Sequence, residues 1–255
     1  MKPNPEIFPF PLIMLEGTDS TNNHLTGLCE VQGEMTEFTT LCAEYQSAGK
    51  GQRGNTWESE AGRNLLFSFV LYPKFVEARR QFILSQIISL SIKDALDCHV
   101  TDISVKWPND IYWKDKKICG ILIENVLSGN AVARCIAGIG LNVNQTKFMS
   151  DAPNPVSLRQ ILGKETDRHA LLTDILLFTE RYYDDLQLKG ESFANELTQK
   201  YNQSLYRREG IFPFKDKNGI FEASILRVEP EGRLILLDTD GQERGYLFKE
   251  VQFII

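Results

Sequence analysis

The run Asp110-Ile111-Tyr112-Trp113-Lys114-Asp115-Lys116-Lys117-Ile118-Cys119-Gly120-Ile121-Leu122-Ile123-Glu124-Asn125-Val126 decides how the chain is read. Two strand-like segments, Asp110–Trp113 and Lys117–Val126, bracket the polar turn Lys114-Asp115-Lys116, which predicts a β-hairpin. Working outward, Ile103–Trp107 is strand-like, and Ala131–Asn144 is an apolar strand with glycines near its end. Leu41–Gln46 and Leu65–Tyr72 read as strands on either side of a polar, Gly-rich stretch, Ser47–Asn64. In Gln81–Cys98, Ile83, Ile87, Leu90 and, with some drift, Leu96 recur at helical spacing. Leu171, Ile175, Phe178, Tyr182 and Leu186 mark an amphipathic helix, and Phe193, Leu197 and Tyr201 mark another. From about Arg208 the texture changes to short β-rich runs between turns at Asn218-Gly219, Pro230-Glu231-Gly232 and Asp240-Gly241. The expected fold class is therefore α+β: a mixed or antiparallel sheet flanked by helices over residues 1–207, then a small barrel-like β domain over 208–255.

Composition narrows the function. The 255 residues carry a net charge of -6, which argues against a whole-chain affinity for nucleic acid. No apolar run is long enough to span a bilayer, and the Pro- and Phe-rich start (Pro3, Pro5, Phe8, Pro9, Phe10, Pro11) lacks a signal-like pattern. It reads as an extended arm on a cytoplasmic protein. The five cysteines are odd in number and scattered, with no C-x-x-C pair, so neither a disulfide framework nor a zinc site is expected. His24, His99 and His169 lie far apart and read as surface or packing residues.

The segment Gly49-Lys50-Gly51-Gln52-Arg53-Gly54 fits G-x-G-x-x-G in form, but no helical pattern follows it, so a dinucleotide site is excluded. The partners of a protein-kinase loop are missing too, as is any Walker loop. What is left is a glycine loop with two cations, Lys50 and Arg53, suited to phosphate or carboxylate. Trp57 just beyond it is suited to stacking on a planar base, or to anchoring the loop. In Lys106-Trp107-Pro108-Asn109-Asp110, a lysine held at the sheet's edge can neutralise a carboxylate and a phosphate brought together. Asp110 on the same turn is a candidate magnesium ligand. Gly120 inside a strand marks a bulge or a close approach. Glu124 faces either water or a site. Asn142, after Gly138 and Gly140, is placed to bind phosphate or sugar oxygens, or to cap a turn. Asp19-Ser20-Thr21-Asn22 suits a ureido or amide ligand and also reads as a helix N-cap.

Taken in order, these strings resemble the biotin–protein ligase family. They are Ser20-Thr21-Asn22; Ala43-Glu44-Tyr45-Gln46 before the glycine loop; Trp57-Glu58-Ser59 with Gly62 and Asn64-Leu65; Lys106–Asp110; Gly120–Glu124; and Gly140 with Asn142. The likeness covers about residues 15–145. The resemblance implies a catalytic domain of the class II synthetase-like kind followed by an SH3-like β module. It also implies activation of biotin by magnesium-ATP to biotinyl-adenylate, and transfer to a lysine of a carboxylase's biotin carboxyl carrier domain. By motif, Ser20, Thr21, Asn22, Gln46, Gly49, Lys50, Gly51, Gln52, Lys106 and Gly120 would hold biotin. Arg53, Trp57 and Asn142 would hold the nucleotide, and Lys106, Lys50 and Arg53 would serve the chemistry.

Two departures stand out. The family's loop usually reads Gly-Arg-Gly-Arg, whereas Lys50 and Gln52 stand here, so weaker retention of the adenylate is expected. Ser20 comes too soon for a preceding helix-turn-helix domain, so a monofunctional enzyme without DNA binding is expected. The rivals are lipoate or octanoate attachment, a catalytically silent biotin sensor, and a plain nucleotide-binding regulator. The sequence leaves the oligomeric state open, a homodimer included.

Overall fold

The computed structural model describes residues 8–51, 56–149 and 154–255. Its main sheet holds seven strands: β1 Leu12–Leu15, β2 Thr40–Ala43, β3 Leu65–Leu71, β4 Ile103–Lys106, β5 Asp110–Trp113, β6 Lys116–Ser128 and β7 Ala131–Leu141. They lie in the order β1-β2-β3-β7-β6-β5-β4. β1 runs parallel to β2, and the remaining neighbours are antiparallel, so the sheet is mixed. The hairpin forms as its sequence predicts, with Asp110 opposite Gly120 and Lys114 in the left-handed region at φ 51°.

Helices cover the sheet unequally. α2 (Phe82–Asp97), α4 (Arg168–Lys189) and α5 (Glu191–Gln203) lie over one face. There Phe67, Phe69, Ile121, Ala137 and Ile139 join Ile87, Leu90, Ile175 and Leu176 in one apolar cluster. Burying each large side chain stabilises the fold by roughly 1.5–3 kcal/mol. α1 (Thr21–Gln32) covers only part of the opposite face, packing Leu25 and Cys29 on Leu41, Val70 and Ile136. A short α3 (Leu158–Leu162) starts with a capping box between Ser157 and Gln160.

Of the segment read as an extended arm, Pro3 and Pro5 lie outside the described residues, and the described part is not free of the fold. Phe10 is buried in the main core, and Leu12–Leu15 adds a parallel edge strand. Four consecutive apolar residues beside prolines carry no strand periodicity, so only the pairing with β2 reveals the strand.

Beyond α5, β8 (Phe212–Asp216), β9 (Gly219–Val228), β10 (Leu234–Asp238), β11 (Glu243–Tyr246) and β12 (Gln252–Phe253) form an antiparallel sheet in the order β11-β10-β9-β8-β12. This small SH3-like sheet is tied to the larger part. Asn202 in α5 donates to the Val228 carbonyl and accepts from the Val228 N–H. The Trp107 indole donates to the Gly232 carbonyl at 3.0 Å. Gly232 has φ 93°, and a Cβ there would strike the Phe82 ring, so only glycine fits this junction. Phe214, Leu234 and Leu236 belong to the same apolar cluster as α2 and α5.

Candidate active site

The hairpin and its neighbours align one transverse row of side chains. Lys106 faces Asp110, Asp110 faces Gly120, Gly120 faces Gly140, and Gly140 faces Leu66. Directly opposed residues of antiparallel strands point to the same side, so this row lies on one face. It is the face that α2 and α4 leave open. The period of two adds Gly138 and Ser68 to that face, and Leu122 and Glu124 beside them. A cavity of about 620 Å³ opens there.

The glycines make its floor. A Cβ on Gly140 would lie 2.4 Å from the Trp57 ring, and one on Gly120 would lie 2.9 Å from it. Of the two readings of Gly120, close approach is the one realised. The bulge sits beside it: Ile111 faces Cys119 but Tyr112 faces Lys117, so Ile118 is the extra residue. Trp57 is tied by its N–H to the Gly49 carbonyl at 2.9 Å, and Lys50 pairs with Thr56 across the base of the loop. Its indole N–H is buried and has no hydrogen-bond partner among the described residues. Gln52, Arg53 and Gly54, singled out in the sequence, lie outside the described residues.

One end of the cavity is a hydrogen-bonding nest. Ser20 takes the N-cap position of α1 with extended backbone (φ -154°, ψ 131°), yet its hydroxyl makes no capping bond. The Gln46 side-chain carbonyl does that work, accepting from the Thr21 N–H at 2.7 Å and the Thr21 hydroxyl at 3.1 Å. The Ser20 hydroxyl and the Gln46 amide nitrogen are thereby left for the cavity. Asn22 is committed to the fold as well as lining the cavity. It donates to the Leu122 carbonyl and to Glu124, and its own carbonyl faces the Ser68 hydroxyl at 2.6 Å. Glu124 thus faces neither bulk water nor the cavity alone; it holds α1. Gly138 leaves room for this, since a Cβ there would overlap Asn22 Oδ1 at 2.0 Å.

The other end is cationic. Lys106 donates from Nζ to the Tyr112 hydroxyl at 3.2 Å and lies 4.9 Å from that ring's centre. Burial pulls its pKa below the ordinary lysine value, against the opposing pull of Asp110. Trp107, Pro108 and Asn109 anchor the turn. The Trp107–Pro108 peptide is cis, the Tyr201 hydroxyl donates to the Pro108 carbonyl at 2.9 Å, and Asn109 donates to the Ile121 carbonyl. Asp110 pairs with Lys117 at 2.8 Å, and Lys117 Nζ lies 5.7 Å from the Trp57 ring. Lys117 carries no role in the sequence reading. Strict alternation from Gly120 would turn it to the helix-covered face, and the extra residue Ile118 turns it back to the open one. Ser68 is the other unforeseen member of the site; its signal in the sequence is that it is the lone polar residue of Leu65–Leu71.

Other expected residues sit at the margin. Lys50 is exposed and donates to Asn23 at 2.8 Å. Gly49 is buried, where a Cβ would meet the Trp57 carbonyl at 2.7 Å, and Gly51 lines the cavity. Asn142 is outside the cavity lining; its buried carbonyl oxygen has no partner among the described residues. Among the described residues no three His, Cys, Asp or Glu side chains cluster as metal ligands. A magnesium ion keeps most of its waters and takes phosphate oxygens, so Asp110 fits as a single protein ligand and the residues form no closed cage. The small sheet closes the mouth with Phe248, Val251, Gln252 and Phe253.

The profile of the biotin/lipoate A/B protein ligase family matches residues 15–144. The chain belongs to that family. Its relatives include the bifunctional ligase/repressor BirA of Bacillus subtilis, 31% identical over 218 residues, which cover 82% of this chain and 65% of that protein. The chain thus spans less than two thirds of that protein's length, and 47% of the Escherichia coli BirA that it also matches. A biotin–[acetyl-CoA-carboxylase] ligase of Paracoccus denitrificans is 28% identical over 241 residues, covering 90% of this chain and 95% of the relative. The structure is similar to that of the Aquifex aeolicus biotin protein ligase in complex with biotin and ATP. The TM-score is 0.77 at 28% identity, over 96% of this chain and 99% of that one. Among the described residues, no helix of this family member is long and apolar enough to cross a membrane.

Proposed function

We propose that this chain activates biotin with ATP and passes it to a lysine of a biotin carboxyl carrier domain. One observation carries the reading: the hydrogen-bonding nest around Gln46 and the lysine pair beside Asp110 lie at opposite ends of one cavity. A ligand with a ureido head and a carboxylate tail spans such a cavity. Ser20, Thr21 and Gln46 hold the head, with Asn22 fixing α1 behind them and Gly120 leaving room in the floor. Lys117 and Lys106 meet the carboxylate and the α-phosphate, which repel each other in water. A carboxylate oxygen attacks the α-phosphorus, the bond to the β-phosphate oxygen breaks, and pyrophosphate leaves. The acceptor amine then attacks the acyl carbon, and AMP leaves with the bonding electrons.

Trp57 and Asn142 take the nucleotide side, and the loop Gly49–Gly54, with Lys50, Gly51, Gln52 and Arg53, closes over both ligands and excludes water. Asp110 would hold a magnesium ion brought with the phosphates, and that ion would neutralise charge on the departing pyrophosphate. The boundary between the catalytic part, residues 1–207, and the small module, 208–255, falls just before β8. All five cysteines are free thiols, in keeping with a cytoplasmic home.

Pyrophosphate release with magnesium-ATP and either biotin or lipoate, without acceptor, tests this. Biotin-dependent release, reduced roughly 100-fold or more by Lys106→Ala, is the expected result. Release with lipoate alone would assign the other branch of the family, and tight biotin binding without release would make the protein a sensor.

A further inference from the structure

Among the described residues, Lys106 makes no ion pair with a carboxylate. Asp110, its cross-strand neighbour, is paired with Lys117, and two aromatic rings flank the Lys106 ammonium. One wall is Tyr112, from the main sheet. The other is Phe253, two residues before the end of the sequence and on the small sheet, with its ring centre 5.4 Å from Nζ. Phe253 is fixed from both sides. It pairs with Phe214 of β8, and its ring meets the Phe214 ring edge-on at 5.0 Å. The next residue is tied twice: the Ile254 N–H donates to the Pro213 carbonyl, and Arg207 donates to the Ile254 carbonyl at 2.7 Å. The Tyr206 ring lies 6.2 Å away on the same side. Lys106 and Phe253 both line the cavity.

An aromatic face holds a cation in place without neutralising it, whereas a carboxylate would cancel the charge that a substrate anion needs. We propose that Phe253 is a positioning residue for the adenylation step: the small C-terminal sheet holds the Lys106 ammonium at the cavity through this ring. The inference rests on the role given to Lys106 above. It makes the small module part of the first half-reaction, in addition to whatever it does for the acceptor.

The test is a mutant cycle on the full chain, read as biotin-dependent pyrophosphate release, with biotin affinity measured separately in the absence of ATP. Phe253→Leu should lower kcat/KM for ATP roughly 3- to 30-fold and leave biotin affinity unchanged. In a Lys106→Met background the same change should cost nothing further, because the ring then has no cation to hold. Phe221→Leu, which removes another ring from the same small sheet, should keep full activity. Pentafluorophenylalanine at position 253 keeps the shape and reverses the ring's electrostatics, so it should repeat the loss even if Phe253→Leu fails to fold. An equal loss from Phe253→Leu with and without Lys106, or full activity of the fluorinated chain, would overturn the proposal. Full activity of Lys106→Met by itself would instead remove the reading of Lys106 on which the proposal stands.

Discussion

Strand β7 serves two purposes with alternate residues. Cys135, Ala137, Ile139 and Leu141 are buried against α2 and α4 in the large apolar cluster. Gly138 and Gly140, interleaved with them, face the open side and carry no side chain at all. One gives its space to Asn22 and the other to Trp57. The two faces of the same eleven residues therefore obey different rules. On the helix side, volume is filled and its loss costs stability. On the open side, volume is withheld, and the cost of changing it falls on what the cavity can hold. A site of this kind is built by omission as much as by placement, on a sheet whose rigidity comes from its other face.

The largest expected effect separates the faces through stability. Phe67 is fully buried on the helix side. Phe67→Ala should cost about 3–5 kcal/mol in urea unfolding, while KM for biotin, measured on the folded fraction, stays within about twofold of the parent. A large change in KM with little change in stability would show that the two faces are not independent. Lys117→Ala should do the reverse. Its pair with Asp110 is about a quarter to a third exposed, so its loss should cost less than about 1 kcal/mol of stability. Biotin-dependent pyrophosphate release should fall roughly 100- to 1000-fold. A Lys117→Ala chain that keeps its activity, beside a Lys106→Ala chain that loses it, would assign the chemistry to Lys106 alone.

Much of this division was legible in the sequence. The hairpin turn and the glycines of β6 and β7 stand out because they interrupt apolar runs. The glycine loop and the Lys106–Asp110 string stand out because polar residues are gathered where a strand would otherwise continue. What stayed hidden has a physical cause in each case. Lys117 is turned to the cavity by one extra residue, and the register slip that inserts it depends on the pairing of β5 with β6. Ser68 acquires its role from α1, whose first turn it holds, and Gln46, placed at the biotin end by the resemblance, also holds that turn by a bond that no local pattern shows. Gln46 in particular does the capping that Ser20 was expected to do, and so frees the Ser20 hydroxyl. Phe253 meets Lys106 only because β12 pairs with β8, a contact between distant parts of the chain that no local pattern announces. Local spacing reports which residues are unusual; tertiary pairing decides which of them meet.

The smallest expected effect concerns the glycine loop. Its described base is anchored at the cavity by the Lys50–Thr56 pairing and by Trp57. The family's usual arginine at position 52 is glutamine here, and the lysine at 50 is occupied with Asn23. A glutamine amide donates a neutral hydrogen bond to a phosphate, and an arginine donates charged, forked ones of about twice the strength. Gln52→Arg should therefore slow the escape of the adenylate roughly three- to tenfold, with little change in the rate of its formation. Single-turnover loading with labelled ATP, followed by rapid filtration, measures the escape directly. Escape no slower than in the parent would mean that retention does not depend on this position, and that the floor and the lysine pair hold the intermediate without help from the loop's charge.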